Sequence, residues 1–125
     1  MEFFKIIDIP VSEFIIQEGV TFSNLEKVMP SMFVIETIGA DILAGTSWGE
    51  FKVSLDKIMG GVRMAFLDCP NALAWTITTG YPPDRAKLIL HITINRSRKP
   101  ANFLEEIEEF IEDWEEGLTR ALQVS

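Results

Sequence analysis

The sequence has 125 residues, of which 47% are hydrophobic, and its formal net charge is −8. This length predicts a single domain over residues 1–125 with one core. The acidic balance argues against nucleic acid as a partner, because phosphate contacts need clustered Lys and Arg. The single cysteine excludes an internal disulfide and is typical of a reducing cytoplasm.

The first third of the chain predicts one strand followed by two short helices. Residues 3–9 are β-branched and aromatic, as in a strand. Ser12 is placed to cap a helix over residues 13–18, which the following glycine closes. Residues 23–26 form a second capping-box pattern, which predicts a helical turn that stops near Pro30.

From residue 32 onward the hydrophobic period changes to two, which predicts a run of strands. Within this run, residues 42–55 fit either one long bent strand or two strands that meet near Gly45 or Gly49. The alternation places Trp48 on the polar side with Glu50 and Lys52, where it would contact a partner or be covered by a loop. Strands joined by tight turns pair antiparallel, with one buried and one wet face. The predicted strands cover residues 32–38, 42–55, 62–67, 72–79 and 86–95.

The last quarter of the chain predicts one long amphipathic helix capped by Asn102. Its length of roughly 30 Å, at ~1.5 Å per residue, suits packing across a whole sheet. The sequence therefore predicts an α+β domain with helices gathered on one face of the sheet. The apolar stripe comprises Phe103, Leu104, Ile107, Phe110, Ile111, Trp114, Leu118 and Leu122, and the polar face carries eight of the 19 acidic residues: Glu105, Glu106, Glu108, Glu109, Glu112, Asp113, Glu115 and Glu116.

Three stretches carry a resemblance to a known family: residues 9–13 (IPVSE), residues 22–30 (FSNLEKVMP) and residues 111–122. They resemble the first strand and helix, the second small helix and the closing helix of the START-like superfamily, also called the polyketide cyclase or Bet v 1-like group. The resemblance implies a helix-grip fold, in which a curved antiparallel sheet is wrapped around a long C-terminal helix and two short helices follow the first strand. The proline-rich loop at residues 80–84 departs from the simple hairpin usual in that family.

The resemblance also implies a ligand pocket between sheet and helix, lined mostly by apolar side chains. The alternative is that the same side chains fill a solid core, because protein interiors are close-packed. The candidate ligand-binding residues are Phe51, Val53, Met64, Phe66, Leu73, Trp75, Leu90, Ile92, Phe110, Ile111 and Trp114.

No catalytic residue is predicted. The single histidine, His91, falls on the outward side of its strand, and Cys69 falls in a turn beside Asp68, whose charge disfavours a reactive thiolate. One histidine and one cysteine cannot supply the usual metal-ligand cluster, so neither a metal nor a cofactor is expected. The basic cluster, predicted to be a solvated loop, consists of Arg96, Arg98 and Lys99.

Three functions remain open on the sequence. The first is binding of a lipid-like or polycyclic hydrophobic molecule, the second is a solid-core interaction module or homodimer, and the third is a polyketide cyclase- or dehydratase-like enzyme. No apolar run approaches the 18 residues of a transmembrane helix, and the N-terminus lacks the features of a signal peptide. We therefore expect no integral membrane association and a cytoplasmic location.

Overall fold

The computed structural model describes residues 1–82, 84–95 and 101–122, so the basic cluster of Arg96, Arg98 and Lys99 lies outside the described residues. Within these ranges the protein is α+β, as predicted. The strands are β1 (Glu2–Ile7), β2 (Phe33–Ile38), β3 (Asp41–Thr46), β4 (Gly49–Ile58), β5 (Gly61–Phe66), β6 (Ala74–Thr79) and β7 (Leu88–Thr93), and the α-helices are α1 (Glu13–Gly19), α2 (Leu25–Val28) and α3 (Ala101–Leu122).

The seven strands form one open antiparallel sheet in the order β1-β7-β6-β5-β4-β3-β2. The first strand is therefore not beside the second but beside the last, with Phe3 opposite Ile92 and Ile7 opposite Leu88. The antiparallel pairing expected from the tight turns is confirmed for every neighbouring pair. The two edge strands of the sheet are therefore β1 and β2. The β2 strand carries a bulge after Val34.

Both short helices predicted after β1 are present, but only one of the two predicted caps is correct. The Ser12 hydroxyl accepts a hydrogen bond from the Ile15 amide at 3.1 Å, which confirms the cap of α1. In the second case Thr21, not Ser23, is the capping residue, because its hydroxyl accepts a bond from the Asn24 amide at 3.2 Å. That bond starts a short 3-10 turn, Phe22–Asn24, which leads directly into α2.

The long C-terminal helix α3 packs against the sheet. It begins at Ala101, so Asn102 lies inside its first turn and the predicted cap at Asn102 is wrong. The predicted apolar stripe is the buried face, whereas Glu105, Glu108 and Glu109 are exposed on the opposite side. The buried members of the stripe are Ile107, Phe110, Trp114, Leu118 and Leu122.

The alternation of the strands correctly predicts the face that α3 covers. On β4 to β7 the side chains of Val53, Met64, Ile77 and Leu90 are completely buried. The outer face is less exposed to solvent than predicted, since Ile89 on that face is only 2% exposed. Ile89 lies in a shallow outer groove with Phe4, Thr76, Thr78, Tyr81 and His91.

Candidate functional site

An apolar pocket lies at one end of the interface between the sheet and α3. Its volume is about 260 Å³. It is bounded by the turn between β3 and β4, by the connection between β5 and β6 and by the first turn of α3. The residues that line it are Trp48, Phe51, Phe66, Cys69, Pro70, Asn71, Leu73 and Phe103.

Trp48 reaches this pocket because residues 42–55 form two strands and not one. Thr46 pairs with Gly49 across a two-residue turn made of Ser47 and Trp48. The Thr46 hydroxyl fixes the turn, since it donates to the Gly49 carbonyl at 2.8 Å and accepts from the Trp48 amide at 3.1 Å. The prediction that Trp48 lies on the polar outer face is therefore wrong: strand alternation does not continue through a turn.

The Trp48 side chain closes the end of the sheet–helix interface. Its ring centroid lies 5.3 Å from that of Phe110 and 6.2 Å from that of Phe103, both on α3. Its indole Nε1 donates a hydrogen bond to Glu106 Oε2, on the same helix. Trp48 thus fastens the β3–β4 turn to the N-terminal half of α3 by ring contacts and by a charge-assisted hydrogen bond.

The rim opposite Trp48 is the connection between β5 and β6. The Asp68 carboxylate accepts a bond from the Lys52 amide at 3.0 Å, which holds this connection against β4. The Asn71 carbonyl accepts from the Asn95 amide at 2.9 Å, just beyond β7. These two attachments place Cys69 and its neighbours beside the opening of the pocket.

The interface behind the pocket is filled by aromatic side chains. Phe66 stacks on Phe51 with ring centroids 4.8 Å apart and meets Trp75 edge-on at 5.2 Å. Trp75 in turn contacts Phe110 at 5.1 Å and Trp114 at 5.9 Å. The open space is therefore at the end of the interface, and the region beneath the middle of α3 is packed.

Two indole groups in this aromatic cluster are buried without a hydrogen-bond partner. Trp75 is 1% exposed and Trp114 is fully buried. Neither Nε1 atom has an acceptor among residues 1–82, 84–95 and 101–122. A buried donor without a partner costs about 1–3 kcal/mol, so these two groups are exceptions that need an explanation.

The structure separates the sequence-predicted binding residues into three groups. Phe51, Phe66 and Leu73 line the pocket. Ile111 is half-buried at the edge of α3. The other candidates are buried in the core behind the pocket: Val53, Met64, Trp75, Leu90, Ile92, Phe110 and Trp114.

Sequence reasoning missed several lining residues, chiefly Trp48 and Phe103. Phe103 was on the predicted apolar stripe, but nothing local indicated that its end of the helix borders an opening. For Trp48, the sequence Thr46 to Gly49 contained the signal, because a Thr two residues before it and a Gly after it are typical of a turn. A turn at Ser47 and Trp48 would have removed Trp48 from the alternation.

The single histidine lies outside the pocket, on the outer face of the sheet as predicted. Its ring stacks on Phe4 with centroids 4.2 Å apart, and its Nε2 lies 3.2 Å from the Glu2 carboxylate. No group of three or more His, Cys, Asp or Glu residues that could hold a metal occurs among the described positions. In the same part of the chain no helix has the length and apolar character needed to cross a membrane.

The chain was also compared with known proteins. It matches none of the protein-family models and none of the curated protein sequences compared with it.

Proposed function

We propose that this protein binds a small hydrophobic compound in the pocket at the end of the sheet–helix interface. The observation that carries the proposal is the pocket itself, a volume of about 260 Å³ lined by four aromatic rings and Leu73. Ligand sites are concave and mostly apolar, with a few polar groups that orient the ligand. Here the polar side chains of the lining are those of Asn71 and Cys69, since the Trp48 N–H already donates to Glu106.

The size of the pocket selects the class of ligand. Sites for drug-sized molecules enclose about 300–1,000 Å³, so a smaller pocket suits a compound of one or two fused rings. Apolar walls favour an uncharged ligand, since an unpaired charge would lose its hydration on entry. The proposed ligand is thus an uncharged bicyclic or monocyclic compound and not a long-chain lipid.

We further propose that the architecture is the helix-grip fold of the START-like superfamily. Support comes from the order of elements: one strand, two short helices, six strands and a long helix. The packing of α3 against the sheet supports it as well. On this proposal the pocket occupies the end of the space that the fold keeps between its sheet and its last helix.

Binding is favoured over catalysis because the lining offers no acid–base pair. General acid–base chemistry needs a titratable group within hydrogen-bond reach of the substrate, supported by neighbours that tune it. The described lining contains no carboxylate, imidazole or amine. An enzyme of the cyclase type would need such groups on the walls of the pocket.

The proposal is tested by titration with indane, an uncharged bicyclic hydrocarbon. Cys69 is the only cysteine and lies on the pocket wall, so the rate of its alkylation by iodoacetamide reports on access to the pocket. We expect saturable protection, with alkylation about tenfold slower when indane is at about ten times its Kd, because only the unoccupied fraction reacts.

Two Leu→Phe substitutions, one inside the pocket and one outside it, test whether indane binds at this site. Leu73→Phe adds volume inside the pocket and is expected to weaken indane binding by about tenfold, by filling the space that the ligand needs. Leu67→Phe makes the same change at a residue that is 52% exposed and is expected to leave binding unchanged. Absence of saturable protection in the unsubstituted protein would reject the proposed function.

A further inference from the structure

The outer face of the sheet carries a groove that the proposed function does not use. It crosses β1, β6 and β7, it is bordered by the turn after β4 and the loop after β6, and its volume is about 270 Å³. The sheet itself separates this outer groove from the pocket, whose strand residues belong to the inner face. The outer groove is therefore a second concave site, similar in volume to the pocket and more open to solvent.

Thr78 places a hydroxyl group on the floor of the outer groove. Among the residues that the structure describes it is the only buried polar or charged one, at 8% exposed. Its hydroxyl makes no hydrogen bond with residues 1–82, 84–95 and 101–122, yet the oxygen is not sealed from solvent. Since the open space that Thr78 borders is the outer groove, the hydroxyl faces into it.

Thr76 repeats this arrangement two residues earlier on β6. Residues two apart in a strand share a face, and Thr76 lines the groove with a hydroxyl that also lacks a partner in the described part of the chain. Most polar groups in a protein interior are hydrogen-bonded. Two unpartnered hydroxyls in a row at the bottom of a groove therefore mark a place where a ligand can supply the missing partners.

The register of the sheet keeps the Thr78 hydroxyl accessible. On β5 its cross-strand neighbour is Gly61, which has no side chain to cover it, and on β7 its neighbour is Ile89. Tyr81 forms a wall beside the β4–β5 turn, since a Cβ on Gly60 would lie only 2.5 Å from the Tyr81 Cε2 atom. Gly60 also has a φ of +89°, which favours glycine, so this turn preserves the space for the Tyr81 ring.

The remaining walls of the outer groove are mainly apolar. Phe4 stacks on His91 with ring centroids 4.2 Å apart and is 56% exposed, and Met59 is 81% exposed. The Glu2 carboxylate lies 3.2 Å from His91 Nε2 and so holds the imidazole beside the groove. The described lining contains no carboxylate and no amine. Apolar walls above a floor of hydroxyl groups suit an uncharged ligand that combines a ring with a polar group.

We infer that the outer groove binds a neutral ring compound of the phenol class, whose hydroxyl bonds to the Thr78 hydroxyl. A phenolic hydroxyl both donates and accepts, as the hydroxyls of Thr78 and Thr76 do, so either direction of the bond is available. The ring covers apolar walls that otherwise contact water. This inference goes beyond the proposed function, because it assigns a second site on the opposite face of the sheet and does not require the pocket to be occupied.

Nuclear magnetic resonance reads the outer groove directly. The chain has one histidine and one tyrosine, and both line this groove, whereas neither lines the pocket. Their side-chain signals therefore report on the groove without overlap from another residue of the same type. At constant pH we expect 5-indanol to move the His91 and Tyr81 signals saturably, because the ring current of the bound compound acts on nearby protons.

The comparison of 5-indanol with indane tests the bond to Thr78, since the two compounds share a bicyclic frame and differ by one hydroxyl. On apolar walls alone 5-indanol would bind more weakly, because its hydroxyl would lose hydrogen bonds to water. With the Thr78 bond, we expect the Kd of 5-indanol, read from the His91 signals, to be about three- to tenfold lower than that of indane. An equal or higher Kd would overturn the inference.

Matched variants assign this preference to one hydroxyl. Thr78→Val removes the hydroxyl and keeps a branched side chain that suits a strand. It is expected to raise the Kd of 5-indanol about three- to tenfold and to leave the Kd of indane unchanged, which shows that the groove is intact. Thr37→Val makes the same change at an exposed residue of β2 and should alter neither Kd. A preference for 5-indanol that survives Thr78→Val would contradict the assignment.

The outcomes separate the outer groove from the pocket and from a second copy of the chain. Leu73→Phe, which fills the pocket, should leave the 5-indanol titration of His91 unchanged, so the inference can hold even if the proposed function fails. Loss of the His91 shift in Leu73→Phe would place the compound in the pocket and reject the inference. Movement of the His91 and Tyr81 signals with protein concentration alone would show that a second copy covers the groove, which also rejects it.

Discussion

Trp48 joins the two layers of the fold through a single side chain. It stands in the β3–β4 turn, its ring lies against Phe103 and Phe110, and its N–H bonds to Glu106. Hydrogen bonds to a charged group contribute about 1.5–3 kcal/mol when buried, and less where water competes. The Trp48–Glu106 bond is half-buried, so it belongs to the lower part of that range.

We expect Trp48→Phe to lower the free energy of unfolding by about 1–2 kcal/mol. The substitution keeps most of the ring contacts and removes the N–H donor. A double-mutant cycle with Glu106→Leu, measured by chemical denaturation, should give a coupling energy of about 1 kcal/mol. Additive effects of the two substitutions would show that the bond contributes nothing to stability.

Strand alternation predicts which side chains point inward but not which of them line the pocket. Strand alternation was sufficient to place Phe51, Phe66 and Leu73 on the inner face, where all three line the pocket. The same alternation could not separate them from Met64 or Leu90, which share that face and are completely buried. Whether an inward side chain borders an opening depends on what α3 places above it.

At the level of elements, α3 approaches α2 closely at Gly117. A Cβ on Gly117 would lie only 1.9 Å from the Val28 carbonyl oxygen, so a larger residue there cannot be accommodated without moving a helix. The close approach brings the end of α2 against the last third of α3. Gly117 therefore fixes how deeply α3 seats on the rest of the fold.

We expect Gly117→Ala to destabilise the protein by about 3 kcal/mol or more, because of this backbone clash. Helix propensity alone predicts the opposite sign, a gain of about 1 kcal/mol. Glu112→Ala, at an exposed position of the same helix, is the control and should change stability by less than about 0.5 kcal/mol. Thermal unfolding of the two variants measures the difference, and a stabilised Gly117→Ala protein would contradict the close approach.

The ends of the helices show where capping rules succeed and fail. Ser12 is a correct cap because its own backbone is extended, which lets its hydroxyl accept from the Ile15 amide. Thr21 displaced Ser23 because a 3-10 turn starts two residues earlier and continues into α2. Several Ser, Thr and Asn side chains close together each satisfy the same capping rule, and tertiary packing selects among them.

Across the sheet, burial is highest in β5, β6 and β7 and lowest in the edge strand β2. Strands β5, β6 and β7 each have a neighbour on both sides, and α1 packs against β5 and β6. In contrast, β2 is an edge strand with a bulge and mostly exposed side chains. Edge strands open locally more often than central strands, because they bury fewer apolar contacts.

We expect hydrogen exchange to be slowest at the amides of β6 and β7 and fastest among strands at β2. The opening free energy obtained from exchange of the central amides should approach the global free energy of unfolding. The opening free energy of the β2 amides should be lower, because β2 opens locally. Amide exchange followed by nuclear magnetic resonance measures both. Protection of β2 equal to that of β6 would indicate that something covers the β2 edge in solution.

Native mass spectrometry of freshly purified protein addresses the remaining predictions together. A retained compound of low mass would support the proposed binding function. The subunit count tests the homodimer, which remains a prediction. Exposed apolar side chains on the outer face, among them Phe4, Ile6 and Met59, show where to look if a dimer is found.

Hydrophobic periodicity was enough to obtain the α+β class, the inner face of the sheet and the buried stripe of α3, and the tight turns were enough to obtain the antiparallel pairing. These features are local, because a period of two or of about 3.6 residues states which side of an element avoids water. The pocket was decided by tertiary structure alone. It is the volume left where the Trp48 turn, the β5–β6 connection and the start of α3 meet, and no local pattern records how closely three distant segments approach.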